Sequence, residues 1–193
     1  MSVRTRLAML AALLLPLAAS ATVVMNLSFE QLTATSQLVV RGKALIPVAR
    51  QGERGKIETF TDVEISEVLK GKAPSKITIR QPGGVVGKVG QSVDGAAQFK
   101  EGEDTLLFLE RSPDGSGTYV VLAMAYGKVT FEKTKLGGTL EAFRDARGIA
   151  TYDPNSGTNE VHPLNSREDL GSADQFLNRI RIAVKATSKG ASK

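Results

Sequence analysis

The chain has few side chains suited to catalysis. It contains no cysteine and one histidine, His162, which excludes thiol catalysis, iron–sulfur clusters and zinc sites built from Cys or several His. A serine nucleophile needs a base, and nothing in the sequence brings His162 to Ser116. Carboxylates are plentiful, and the densest acidic cluster is Glu101, Glu103 and Asp104. A hydrolase that uses a pair of carboxylates is therefore the enzymatic alternative.

A second set of oxygen-bearing residues has the composition of a calcium loop. Asp153, Asn155, Asn159 and Glu160 are possible ligands, but Gly157 stands where an EF-hand has its third ligand. The same residue types are typical of a turn for conformational reasons. The sequence therefore predicts no metal site and no cofactor.

A glycine-rich stretch invites comparison with phosphate-binding loops. A P-loop has four residues between its glycines and a Ser or Thr after the Lys. Here three residues separate Gly83 from Gly87, and Val89 follows Lys88, so the pattern is not met. We interpret residues 81–104 as a long loop between strands, and long loops in small domains often carry binding residues. The predicted contact residues are Gly83, Gly84, Lys88 and Lys100.

The first 21 residues have the pattern of an export signal. Arg4 and Arg6 form a positive segment, Leu7 to Leu17 is apolar, and Ala19 to Ala21 is a small-residue cleavage site, with cleavage expected before Thr22. The apolar run is shorter than the roughly 20 residues that span a bilayer. The sequence thus predicts a periplasmic or extracellular protein with no integral membrane segment after leader removal.

Composition and charge narrow the possible partners. Hydrophobic residues make up 41% and charged residues 23% of the chain, close to the average for globular proteins. The formal charge is +5, and the leader carries two of the cations. The formal charge that remains after removal of the leader is ordinary for a chain of this length and predicts no nucleic-acid partner. A protein or a component of the cell envelope is the expected partner.

The elements that must position these residues follow from periodicity. Ser28 and Gln31 form a capping box for a short helix over residues 26–36. Apolar residues then recur with a period of two over residues 38–48 and 57–66, which predicts two long strands joined as a hairpin. Further strands are predicted around residues 77–79, 106–109, 119–126, 129–131, 140–143 and 149–152. A second capping box, at Ser172 and Gln175, opens an amphipathic helix over residues 173–185.

Many short strands with a helix at each end are typical of a mainly β fold. We predict a signal peptide (residues 1–21), a single OB-like β-barrel or sandwich domain (residues 22–186) and a frayed tail (residues 187–193). The domain carries a short N-terminal helix and a C-terminal amphipathic helix.

The order of several motifs resembles that of uncharacterised exported bacterial proteins. These motifs are Leu38 to Gly42, Val63 to Gly71, Gly83-Gly84 and Gly102 to Leu109. The order of elements is also distantly similar to the netrin-like module of tissue inhibitors of metalloproteinases, an OB-type barrel. That resemblance implies a barrel and, by analogy of fold alone, a protease inhibitor. The inhibitory wedge of that family depends on an N-terminal cysteine, which this chain lacks. The leading hypothesis is an exported, non-enzymatic domain that binds a partner through residues 81–104.

Overall fold

A computed structural model describes residues 22–52, 55–134, 137–154, 156–157 and 160–190. The predicted leader and two candidate calcium ligands, Asn155 and Asn159, lie outside the described residues. The strands are β1 (Thr22–Met25), β2 (Leu38–Ala44), β3 (Val48–Gln51), β4 (Ile57–Lys70), β5 (Lys76–Pro82), β6 (Gly84–Val86), β7 (Val89–Gln91), β8 (Asp104–Arg111), β9 (Tyr119–Val121), β10 (Lys128–Lys133), β11 (Leu140–Asp145), β12 (Ile149–Tyr152), β13 (Val161–Leu164) and β14 (Arg167–Ser172). The helices are α1 (Phe29–Thr35), α2 (Ala173–Gly190) and a 3-10 helix (Met124–Gly127).

Five strands close into a barrel. They are hydrogen-bonded in the order β8-β2-β4-β5-β9, and β9 pairs back onto β8. All pairs are antiparallel except β5 and β9, where Ile79 lies opposite Tyr119 in a parallel pair. Counted along the chain, the spatial order is first, second, third, fifth, fourth, which is the OB-type order. The pairing of β8 with β9 decides between the two predicted architectures in favour of the barrel over the sandwich.

Strand β8 also carries an extension of the barrel. One edge of β8 pairs with β2 from Asp104 to Leu109, and the other edge is shared between β9 and β10. From β10 the sheet continues through β11 to β14. Leu106 to Leu109 are fully buried, because one face of β8 lines the barrel and the other faces the helices, where Phe108 lies 6.1 Å from the Phe29 ring. The predicted buried strand is confirmed.

The two helices pack together over this extension. The Ser28 hydroxyl accepts the Gln31 N–H, and the Gln31 side chain accepts the Ser28 N–H, so the predicted capping box is present. At the other end of α1, the Lys70 ammonium donates to carbonyls of the last turn, which lack partners within the helix. Helix α2 contacts α1, β11, β14 and β4. Its buried side chains are Ala173, Phe176, Leu177, Ile180 and Ala183.

Two strand predictions differ from the structure in their ends. The strand expected over residues 38–48 stops at Ala44, because Pro47 has no N–H to donate to a ladder, and Ile46 is exposed. The strand expected over residues 119–126 ends at Val121. There the chain leaves the edge of β8 through the 3-10 helix and returns to the same edge as β10. Ala123 and Met124 take left-handed φ values of 55° and 60° in this excursion.

Other segments of the structure also differ from the sequence-based predictions. Residues 81–104 are not one long loop, because they contain the β6–β7 hairpin and a packed segment with buried Ala96, Ala97 and Phe99. Strands β13 and β14 were not predicted, since most of their side chains are exposed and show no apolar alternation. Helix α2 continues past residue 185 to Gly190, into the expected tail. In the part of the chain that the structure describes, no helix has the length and apolarity needed to cross a membrane.

Candidate binding surfaces

The predicted contact segment contributes to two separate surfaces. Its first half forms the β6–β7 hairpin, which packs beside β3 and β4. The Gln91 side-chain oxygen accepts the Ile57 N–H at 2.8 Å and fastens the hairpin to the barrel. Its second half runs past Gly95 to Glu103 and lines a cavity between this segment, β10 and β11. The structure therefore divides the four predicted contact residues among three environments.

Gly83 and Gly84 lie at the base of the hairpin. The Gly83 N–H donates to the Ile57 carbonyl at 2.8 Å, and its own carbonyl accepts the Thr59 hydroxyl at 2.7 Å. Gly84 has a φ of 136°, and a Cβ there would stand 2.8 Å from the Cβ of Ala49. At Gly83 an added Cβ would stand 2.8 Å from the Gln91 carbonyl oxygen across the hairpin. Neither position therefore has room for a side chain.

Lys88 lies at the hairpin tip and is exposed. The valines on either side of it are also exposed, Val85 at 68% and Val89 at 60%. Val89 is opposite Val86 and Val85 is opposite Gly90, so the two valines belong to opposite faces of the ribbon. We call Val85, Lys88 and Val89 the hairpin tip. It offers apolar surface on both faces with a cation between.

Lys100 lies at the second surface, a cavity of about 480 Å³ that we call the Lys128 cavity. Its apolar wall includes Ala96, Ala125 and Phe143. The polar and charged residues that line it are Gln98, Lys100, Glu103, Lys128, Thr130, Glu132, Asp145, Arg147 and Arg167.

A largely buried ion pair lies at the centre of the Lys128 cavity. The Lys128 Nζ donates to the Glu103 Oε1 at 2.7 Å, and the two side chains are 11% and 14% exposed. The same carboxylate accepts the Thr130 hydroxyl at 2.8 Å. Burial lowers the pKa of Lys128, while Glu103 acts in the opposite direction. The ammonium also lies 5.0 Å from the centre of the Phe99 ring.

The other acids of the cavity are paired with arginines. Asp145 accepts two hydrogen bonds from Arg147, whose guanidinium lowers the pKa of that carboxyl. Glu132 lies 2.8 Å from the Arg167 guanidinium, which stacks 3.9 Å from the Phe143 ring centre. Each acid of the cavity is thus matched by a cation.

The acidic cluster of the hydrolase alternative is dispersed by the fold. Glu103 is bonded to Lys128, whereas Asp104 accepts two hydrogen bonds from Arg41, at 3.0 and 2.6 Å. Glu101 lines a different hollow, on the outer face of β3, β4 and β5. The three acids thus have different partners and surroundings, which does not favour their use as the carboxylate pair of a glycoside hydrolase.

The other candidate chemical residues have local roles. Ser116 lies at the tip of the β8–β9 turn, 2.7 Å from the Thr118 hydroxyl. His162 is exposed on β13, where its carbonyl accepts the Thr151 hydroxyl at 3.5 Å. Across the described residues, no group of three or more His, Cys, Asp or Glu side chains is placed to hold a metal ion.

Sequence reasoning missed most of the Lys128 cavity. The alternation of Val129 and Phe131 was used to place β10, and the intervening polar residues Lys128, Thr130 and Glu132 were not. Their spacing of two assigns them to one face of the strand, which is the signal that was available. The contribution of Arg147 and Arg167 depends on the pairing of β11 with β10 and β14, which no local pattern reveals.

Comparison with known proteins adds no assignment of these surfaces. No family model matches the chain, and no curated protein matches its sequence.

Proposed function

We propose that the chain is an exported, non-enzymatic β-barrel protein that binds a protein or envelope component through residues 81–104, with the hairpin tip making the contact. The exposure of Val85 and Val89 on both faces of the hairpin is the observation that carries this proposal. Export rests on the leader pattern of residues 1–21 and predicts a mature chain that begins at Thr22.

The shape and charge of the hairpin tip define its partner. A ribbon that is apolar on both faces gains most when it inserts into a cleft, because both valines then leave water. Full burial of a valine contributes roughly 1.5–3 kcal/mol. Lys88 adds a positive charge that favours acidic residues at the rim of the cleft. The proposed partner is therefore a protein of the same compartment with an apolar cleft bordered by carboxylates.

Site-specific cross-linking in the producing cells tests the proposal. A photoreactive amino acid is placed at position 89 in one strain and at position 161 in a control strain, since Val161 is also an exposed strand valine. We expect one protein to be cross-linked reproducibly from position 89 and not from position 161. Equal capture from both positions, or none from position 89, would contradict the hairpin contact.

Binding of the identified partner is then measured with a double variant, Val85→Ser with Val89→Ser. We expect at least a tenfold loss of affinity with unchanged thermal unfolding, because both side chains are exposed in the free protein. The control Val161→Ser is expected to bind normally. Mass spectrometry of the same samples reports whether the chain begins at Thr22 and in which fraction it resides.

A protease inhibitor is the second candidate, and the OB-type strand order supports it by analogy of fold. Purified protein added to secreted metalloproteases tests it directly. Unchanged protease rates with the inhibitor candidate in tenfold excess would remove this alternative.

A further inference from the structure

We propose that the Lys128 cavity binds a small organic anion, with the negative group at Lys100 and Lys128 and the apolar part against Ala96, Ala125 and Phe143. This site is separate from the hairpin tip, and the proposal does not depend on the function proposed above.

The size and lining of the cavity suit such a ligand. A volume of about 480 Å³ lies within the range of small-molecule sites, which are typically partly apolar with a few fixed polar groups. Two alanines and an aromatic ring supply the apolar wall, and Gln98 and Thr130 supply neutral polar groups.

The charges around the cavity leave one cation in excess. Glu103, Glu132 and Asp145 are paired one to one with Lys128, Arg167 and Arg147. Lys100 is the fourth cation of the lining, and no carboxylate among the described residues forms an ion pair with it. An anionic ligand would balance this charge, whereas a cation would be repelled.

Lys128 has hydrogen-bonding capacity that the protein leaves unused. An ammonium has three N–H donors, and within the described part of the chain Glu103 is the one side chain that accepts from Lys128. Because this ammonium is largely buried, donors without acceptors are costly, and its lowered pKa reflects the same desolvation. A carboxylate or phosphate oxygen would be a second acceptor.

The wall of the cavity is held in a strained conformation. Ala123 and Met124, just before Ala125, have left-handed φ values, which cost roughly 1–2 kcal/mol per non-glycine residue. The Ala125 N–H donates to the Gly95 carbonyl at 2.9 Å and joins this turn to the 93–103 segment. Backbone strain of this kind persists where surrounding structure enforces it, and it is common at binding sites.

Titration of the mature protein with small-molecule probes, monitored by the NMR signals of its backbone amides, tests the proposal. The probes are benzoate, which has an anionic group and an apolar ring, inorganic phosphate, which has no apolar part, and benzylamine, which has the opposite charge. The variants are Lys100→Gln and Lys128→Met. Because the Lys100 side chain is exposed, its substitution should leave the fold intact. Lys72→Gln is the matched control, because Lys72 is an exposed lysine that belongs neither to the cavity lining nor to the hairpin tip.

We expect benzoate to shift the amides of Ala96, Gln98, Ala125 and Thr130 in a saturable way at millimolar concentration. Lys100→Gln should weaken this binding about fivefold and Lys128→Met at least tenfold, while Lys72→Gln leaves it unchanged. Several outcomes would overturn the proposal: no saturable shift with benzoate, equal binding to Lys100→Gln and wild type, or benzylamine or phosphate binding as tightly as benzoate.

Discussion

Gly42 illustrates how a single residue determines the geometry of the barrel. It lies in β2 beside an irregularity in the pairing with β4. A Cβ at this position would overlap the Glu64 carbonyl oxygen and stand 2.8 Å from the Val63 Cγ1. The two strands can approach this closely because position 42 has no side chain.

Substitution of this glycine is the prediction at the residue scale. We expect Gly42→Ala to lower the free energy of unfolding by about 1–3 kcal/mol, because the new methyl group meets backbone atoms that cannot move independently. Urea unfolding at neutral pH measures the change. The control is Gly90→Ala, where the nearest atom to an added Cβ is 3.7 Å away, and there the effect should stay within about 0.5 kcal/mol. Equal stability of the two variants would contradict the tight β2–β4 approach.

At the scale of secondary-structure elements, charged pairs join the helices to each other and to the barrel. Glu30 of α1 accepts two hydrogen bonds from Arg179 of α2, at 2.7 and 3.0 Å. Arg181, two residues further along α2, bonds Glu67 of β4 in the same bidentate way. The Arg179 hydrogen bonds lower the pKa of Glu30 from 4.5 to about 2.

This pKa shift gives a pH-dependent prediction. Because the folded-state pKa is below the unfolded value, the Glu30 carboxylate stabilises the protein above pH 4.5, and this contribution disappears as the pH falls from 4.5 towards 2. Both side chains are about half exposed, so the contribution at neutral pH is at most about 1 kcal/mol. We expect Glu30→Gln to lower stability at pH 7 and to reduce the loss of stability between pH 4.5 and 2. Urea unfolding at a series of pH values measures both effects.

The control for this prediction is Glu64→Gln, which removes an exposed carboxylate without an ion pair among the described residues. Its unfolding should keep the wild-type change between pH 4.5 and 2. A Glu30→Gln protein with the wild-type acid profile would show that the Arg179 pair does not contribute in solution.

At the scale of the whole molecule, a shared aromatic cluster connects the barrel to its extension. The Phe176 ring of α2 lies 4.8 Å from Phe29 of α1, edge to face, and 6.4 Å from Phe131 of β10. Phe29 in turn lies against Phe108 of β8, a barrel strand. Most of the buried hydrophobic residues, from Phe29 to Ile180 along the chain, form one continuous cluster.

Truncation of the central ring tests this connection. We expect Phe176→Ala to lower the free energy of unfolding by about 3–5 kcal/mol and to leave a single cooperative transition, because the barrel and the extension share the affected core. Circular dichroism and tyrosine fluorescence should then report the same midpoint. Ile182→Ala on the exposed side of α2 is the control and should be nearly neutral. Two separated transitions would show that the barrel folds independently of the extension.

The sequence by itself determined the elements whose signals are local. Capping at Ser28 depends on two residues three positions apart, and the uninterrupted apolar run from Leu106 to Leu109 predicts a buried strand. The alternation of Thr61 and Val63 likewise places β4 without knowledge of its neighbours. From these signals the mainly β class, the two helices and a β-barrel or sandwich were predicted, and the OB-like form of the barrel came from the resemblance to the netrin-like module.

The tertiary structure decided what depends on pairing between distant residues. Barrel closure requires β9 to pair with both β5 and β8. The exposed strands β13 and β14 are defined by backbone hydrogen bonds, which do not require an alternation of apolar and polar side chains. The Lys128 cavity has the same origin, since Lys100, Lys128 and Arg167 come from three segments far apart in the chain. Periodicity reports which face of an element is buried, whereas the register between elements decides which charges meet.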